Sequence, residues 1–244
     1  MQLSATRLIR MATAGLAFSG LLLAGTAPAQ ASERPIDITG YSVSSITVAD
    51  SNCHYVSVKA SSKVKSAYED AYALIDVTRN GGLVDSLWFE NRKVSDRALI
   101  CPAWDGLGTY KVGPADVSAT YSYWDSYFGY QDTDYVDYTD RTSKSFHVRG
   151  KTKSSLAVKR TGNKVTLTAK AQVYSPEKYR YAQYNAKKAK FQVKSGNSWK
   201  TLKTVSLKKG TAKLTLKQSK KKAYRLSIPA ASWATSTNSK SVSK

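Results

Sequence analysis

The run Lys164-Val165-Thr166-Leu167-Thr168-Ala169-Lys170-Ala171-Gln172-Val173 decides the fold class. Every second residue is apolar, and the residues between are lysine, threonine or glutamine. Side chains of a strand alternate between its faces, so this spacing builds a ribbon with one dry face and one lysine-rich face. The pattern recurs on either side. Ala189, Phe191 and Val193 alternate with Lys190, Gln192 and Lys194. Ala212, Leu214 and Leu216 alternate with Lys213, Thr215 and Lys217, and Tyr224, Leu226 and Ile228 with Arg225 and Ser227. Ser195-Gly196-Asn197-Ser198 and Lys208-Lys209-Gly210-Thr211 read as hairpin turns between these runs. Six to seven short strands in roughly 90 residues is the pattern of a β-sandwich. No long apolar stripe of helical period occurs after residue 31, so the chain reads as all-β.

The preceding hundred residues carry the same signature less regularly. Ala73–Thr78 and Leu83–Phe89 flank Arg79-Asn80-Gly81-Gly82, the strongest hairpin signal in the chain. Asp105-Gly106-Leu107-Gly108-Thr109-Tyr110 resembles the tyrosine corner of immunoglobulin-like sandwiches, in which the Tyr hydroxyl bonds back to upstream backbone. Cys101 precedes that Tyr instead of following it, so the conventional immunoglobulin disulfide is not expected.

Charge divides the chain. Residues 149–244 hold 25 Lys and Arg against one acid, Glu177, a net +24. Residues 36–148 hold 10 Lys and Arg against 15 acids, a net −5. The whole-chain value of +21 describes neither part. Two modules with opposite electrostatics are expected, 32–148 and 149–244, joined by a Gly/Ser/Lys linker over Arg149–Ser155.

Residues 1–31 read as a cleaved signal peptide. Arg7 and Arg10 supply a basic start, Met11–Gly25 an apolar stretch, and Ala29-Gln30-Ala31 a small-x-small cleavage site. The apolar stretch falls short of the ~20 residues that span a bilayer, so the product is expected outside the cell with no membrane span. Cys53 and Cys101 are the two cysteines. In an exported protein such a pair reads as one disulfide, the competing reading being a reactive thiol or a metal ligand.

Ser198-Trp199-Lys200-Thr201-Leu202-Lys203-Thr204-Val205 is followed by Gly210, then Tyr224-Arg225-Leu226, and finally Ser239-Lys240-Ser241-Val242. This series resembles the immunoglobulin-like modules of secreted actinobacterial proteins. The resemblance covers about the last 90 residues and implies a β-sandwich accessory module; it carries over no catalytic residue. The expected fold is thus two tandem immunoglobulin-like β-sandwich domains after a signal peptide.

The basic module is expected to bind anionic polymer through Lys187, Lys188, Lys190, Lys194, Lys208, Lys209, Lys213, Lys217, Lys220, Lys221 and Lys222. Lysine is a hydrated point charge and arginine a rigid fork for phosphate. Four arginines among 25 cations therefore point to diffuse attraction, to teichoic-type or other cell-surface polyanions. Nucleic acid is disfavoured, because no RNP-type or zinc-finger spacing occurs, although Tyr174, Tyr179, Tyr181 and Tyr184 lie among the cations. In Tyr121–Asp140, the acids Asp125, Asp132, Asp134, Asp137 and Asp140 offer calcium-type oxygens without EF-hand spacing. A solvated acidic loop is the reading adopted there, with Tyr123, Trp124, Tyr127, Phe128 and Tyr130 as a sugar or partner platform or as core. With His54 and His147 as the two histidines and no G-x-S-x-G, H-E-x-x-H or phosphate loop, no catalytic residue, metal or cofactor is expected. The expectation is a monomeric, non-enzymatic binding protein. The alternative is a secreted hydrolase with a catalytic first module and a basic targeting module.

Overall fold

Alternating apolar residues organise the whole chain into strands in the computed structural model, which describes residues 34–65, 68, 70–90 and 93–244. The expected signal peptide lies outside the described residues. The first half runs β1 (Ile36–Val43), β2 (Ile46–Val48), β3 (His54–Val64), β4 (Ala71–Arg79), β5 (Gly82–Glu90), β6 (Ser95–Ile100), a one-turn helix α1 (Pro102–Asp105), β7 (Gly108–Asp125), β8 (Tyr130–Asp140) and β9 (Lys144–Gly150). The second runs β10 (Thr152–Thr161), β11 (Lys164–Ser175), a 3-10 turn (Pro176–Lys178), β12 (Arg180–Gln183), β13 (Ala189–Ser195), β14 (Ser198–Val205), β15 (Thr211–Lys217), β16 (Ala223–Ile228), β17 (Thr237–Asn238) and β18 (Val242–Ser243). Among the described residues no helix is long and apolar enough to cross a membrane.

The strands form four sheets on one repeated plan. In the first half β1-β3-β6 is one sheet, and β2-β9-β7-β4-β5 the other, with β8 added to β7. In the second half β11 takes β10 and β15 as its long neighbours with β12 at one end, while β14-β13-β16 continues into β17 and β18. With β2, β8, β12 and β18 set aside, the first, second and fifth strands make one sheet of each half. The third, fourth, sixth and seventh make the other. Each half encloses its own apolar cluster, from Ile36 to Val148 in the first and from Leu156 to Ala234 in the second. Val165, Leu167 and Ala169 are fully buried, Thr166 and Thr168 between them are half-buried, and Lys164 and Lys170 at either end are exposed.

The Asn80-Gly81 turn joins β4 to β5 as expected. Both residues are left-handed, at φ 51° and 83°, a conformation that Asn and Gly tolerate best. Ser195–Ser198 likewise turns β13 into its neighbour β14. Lys208–Thr211 is a tight turn, with Lys208 and Thr211 exchanging backbone hydrogen bonds of 2.9 Å. It does not make a hairpin, however. β14 pairs with β13, whereas β15 crosses to β11 in the opposite sheet. The local turn chemistry is the same in both cases; which apolar face each strand must bury decides the partner.

Two further expectations are corrected. Arg149–Ser155 is not a linker: β9 runs to Gly150 and β10 starts at Thr152. Lys151 N–H donates to Val48 O in the first half, and Lys151 O accepts from Tyr174 N–H in the second. Gly150 N–H donates to Trp233 O at 2.9 Å, and Ser51 Oγ donates to Pro176 O at 2.8 Å. A Cβ on Gly150 would stand 2.4 Å from Tyr174 O, so only glycine allows the halves to meet this closely. The Tyr121–Asp140 segment is not a loop either. It is the outer part of a long β7–β8 hairpin, in which Tyr121 faces Asp134 and Tyr123 faces Asp132. Their hydroxyls donate to those carboxylates at 3.2 and 3.3 Å, an arrangement that raises both tyrosine pKa values.

Cys53 and Cys101 are bonded, with Cα atoms 4.0 Å apart. They continue the β3–β6 ladder by one step beyond His54↔Ile100, so the bridge lies within one sheet. Tyr110 is fully buried, and its hydroxyl donates to Gly106 O at 2.5 Å, closing the tyrosine corner. Burial, reinforced by Asp105, holds its pKa above the ordinary range.

Candidate polyanion-binding face

β11 is the central strand of its sheet, and its register aligns the outward residues of three strands into rows. Thr161, Lys164 and Lys217 form one row; Lys159, Thr166 and Thr215 the next. Ala157, Thr168 and Lys213 follow, then Ser155, Lys170 and Thr211. The last row crosses from Lys153 through Gln172 to Gln183 of β12. Every row carries a lysine, and none carries a carboxylate. The inner neighbours of the same strands are the buried Leu156, Val165, Leu167 and Ala169, so the lysines cannot turn inward and the face is fixed as basic.

At one end the face deepens into a concavity of about 420 Å³ lined by Lys153, Lys170, Lys209, Gln172, Gln183 and Thr211, among others. Lys153 Nζ lies 3.7 Å from the centroid of the Tyr181 ring, whose edge meets Tyr174 at 5.3 Å. A cation held on a ring face keeps its charge near the surface. Three ammonium groups beside two amides and a hydroxyl can together receive several anionic oxygens.

Three of the four arginines in residues 149–244 behave differently. Arg160 donates to Gln218 O, Lys220 O and Lys244 O, Arg149 Nε to Ala231 O, and Arg225 Nε to Gln192 Oε1 while its guanidinium sits 4.4 Å over Trp199. These planar forks bond the protein's own carbonyls and rings. Among the described residues no lysine of the second half has a salt bridge, and Glu177 accepts from Ser175 Oγ at 2.5 Å. The charge open to a partner is therefore mostly lysine.

The sequence-derived lysines are not gathered in one place. Lys213 and Lys217 stand on the aligned face, and Lys209, beside Lys208, rims its concavity. Lys190 and Lys194 point outward from β13, in the opposite sheet. Lys187 and Lys188 follow β12 and edge a separate concavity with Trp233 and Pro229. Lys220, Lys221 and Lys222 lie between β15 and β16, where Lys222 exchanges backbone hydrogen bonds with Lys244. Sequence reasoning omitted Lys153, Lys159, Lys164 and Lys170 as site residues. Their alternation was the available signal, but only cross-strand register places them beside Lys213 and Lys217.

Several of the other candidates have structural roles. Tyr184 is in the second core, Tyr174 is buried with its hydroxyl 3.1 Å from Ser51 Oγ, and Tyr181 supports Lys153; Tyr179 stands 70% exposed. Among the acids, Asp140 is buried and accepts from Ile38 N–H and Thr142 N–H. Asp125 caps the hairpin tip by accepting from Tyr127 N–H and Phe128 N–H. Asp132 and Asp134 face the tyrosines on one side of the hairpin, and Asp137 lies on the other. Among the described residues no three His, Cys, Asp or Glu converge as metal ligands. His54 Nε2 bonds Asp50 at 3.0 Å. His147 Nδ1 meets Thr109 Oγ1 at 3.1 Å, with its pKa lowered by burial and by Arg149. The chain matches no protein-family model and no curated protein.

Proposed function

We propose that the protein is a secreted, non-enzymatic binding protein built of two tandem immunoglobulin-like β-sandwiches after a signal peptide, whose basic second module adheres to anionic polymers of the cell surface. The repeated order of strands, with first-second-fifth against fourth-third-sixth-seventh, and the tyrosine corner at Tyr110 support the immunoglobulin-like reading. The disulfide supports an oxidising location outside the cell.

The observation that carries the functional reading is the row-by-row placement of lysine on the β10-β11-β15 face without one carboxylate, in a half with a net charge of +24. Such a face attracts a flexible polyanion along its whole length and reads no sequence in it. Threonines between the lysines keep the surface flat and hydrogen-bonding. The test is retention of the purified protein on isolated cell walls with and without their anionic polymer, across a salt series. Retention should depend on that polymer and fall steadily with salt, as the screening length shrinks from ~10 Å at 0.1 M to ~3 Å at 1 M. Retention that is unaffected by polymer removal or by salt contradicts the proposal.

A further inference from the structure

A second exposed face has the opposite chemistry. Along β7 the residues Ala115, Val117 and Ala119 are buried, so Asp116, Ser118, Thr120, Ser122 and Trp124 share the outer side. Register carries that side across the sheet. Leu74 opposes both Asp116 and Trp88, and Tyr72 opposes Ser118, which opposes Asp137. Farther out, Tyr135 opposes Thr120 and Gln131 opposes Trp124. Four large aromatic rings thus stand on one strip. Tyr72 is 37% exposed, Trp88 44%, Trp124 67% and Tyr135 68%. From the Asp116 row to the Trp124 row the strip is eight residues long, roughly 27 Å at the usual rise of a strand.

Two of the rings brace each other. Trp88 stacks on Tyr72 with centroids 4.6 Å apart and planes 14° apart, and both stand over a shallow basin of about 600 Å³ floored by Leu74 and Val117. The polar groups between the rings are acceptors and hydroxyls: Asp116, already bonded to Thr139 Oγ1 at 2.9 Å, Asp137, Ser118 and Gln131. Among the described residues no lysine or arginine occupies these rows.

We infer that this strip is a binding site for a neutral polysaccharide chain. A sugar ring offers an apolar, slightly positive C–H face and a rim of hydroxyls. The C–H face suits the negative π face of Trp or Tyr, and the hydroxyls can donate to Asp116, Asp137 and Gln131. Rings on four strands of the sheet, Trp88 on β5, Tyr72 on β4, Tyr135 on β8 and Trp124 on β7, stand at successive rows and can accept successive sugars of one linear chain. Carboxylates without cations repel a polyanion, so this strip does not share a ligand with the lysine face. A cationic polypeptide is the competing occupant on charge alone. The hydroxyl-rich rows and the succession of rings from row to row favour the polysaccharide.

The test uses the whole protein in 1 M NaCl, which screens attraction to charged polymers, with chitin, cellulose and mannan as probes. At least one should retain the protein. The double variant Trp88→Ala, Trp124→Ala should then lose about tenfold in affinity for it. Both rings are on the surface, so unchanged circular dichroism is expected of the variant. Soluble oligosaccharide should also shift the tryptophan fluorescence of the wild type. Failure of all three polysaccharides to retain the protein overturns the inference, as does equal retention of the variant. Ring-dependent capture of polylysine without polysaccharide binding assigns the strip to a cationic partner and also overturns it. Binding to anionic polymer at low salt is a separate arm, which the double variant should leave unchanged.

Discussion

The two halves of this molecule share one order of strands and differ in nearly everything carried on it. The first half closes its core with a disulfide, a tyrosine corner and a long aromatic hairpin, and presents acids. The second closes an equivalent core with no cysteine and a single acid, and presents lysines in ranks. Inner positions of both halves are small aliphatic or aromatic residues at every second place, and these fix the sheets. Outer positions are free of that requirement, so evolution could write −5 on one half and +24 on the other without changing the plan. The core and the surface charge are carried by alternate residues of the same strands.

The largest expected effect separates the halves by covalent chemistry. Replacing both cysteines by serine removes a bridge of sequence separation 48, worth roughly 4 kcal/mol in the chain-entropy model. Calorimetry should show the transition of the first half falling by many degrees, while that of the second moves far less. A uniform fall of both would mean that the halves unfold as one unit.

A smaller effect is expected where the halves join. Gly150→Ala forces a methyl against Tyr174 O, and overpacking of this kind costs about 1–3 kcal/mol. The two transitions should separate further in temperature as the junction loosens. An unchanged thermogram would show that the junction is not tight.

Smaller again is the tyrosine corner. Tyr110→Phe leaves Gly106 O without its buried donor, a loss of about 1–2 kcal/mol confined to the first half. An alkaline titration adds a related check on the same half. Tyr138, partly buried, has its pKa raised from 10.0 to about 12, chiefly by burial. The folded state then holds a proton that the unfolded state releases. Stability should therefore be full below pH 10 and decline as pH rises from about 10 toward 12. Denaturant midpoints that stay level across that range would contradict this.

Much of this architecture is legible in the sequence because it rests on local rules. Val165 to Val173 announces a strand, Asn80-Gly81 a hairpin, Gly106 to Tyr110 a corner, and two cysteines one bridge. The failures have physical causes. Arg149–Ser155 reads as a linker because Thr152 and Ser154 turn polar side chains inward, so no apolar alternation marks the strand. Its stability lies in backbone bonds to Val48, Trp233 and Tyr174, which no residue pattern displays. The Tyr121–Asp140 hairpin reads as a loop because tyrosine and aspartate pair across the strands, where periodicity along the chain does not reach. The lysine face is half legible for the same reason. Each lysine's outward direction follows from alternation, whereas its neighbours follow from register.

The proposed binding of anionic polymer rests on an aligned lysine face and not on total charge alone. It is tested most directly by comparing two variants with equal loss of charge. One replaces Lys159, Lys170 and Lys213 on the face with Gln; the other replaces Lys220, Lys221 and Lys222 beyond its end. Affinity for a soluble teichoic-type polymer is measured at low salt by calorimetry. A loss of tenfold or more, around 1.4 kcal/mol, is expected for the face variant, and a clearly smaller loss for the other. Equal losses in the two variants would contradict it.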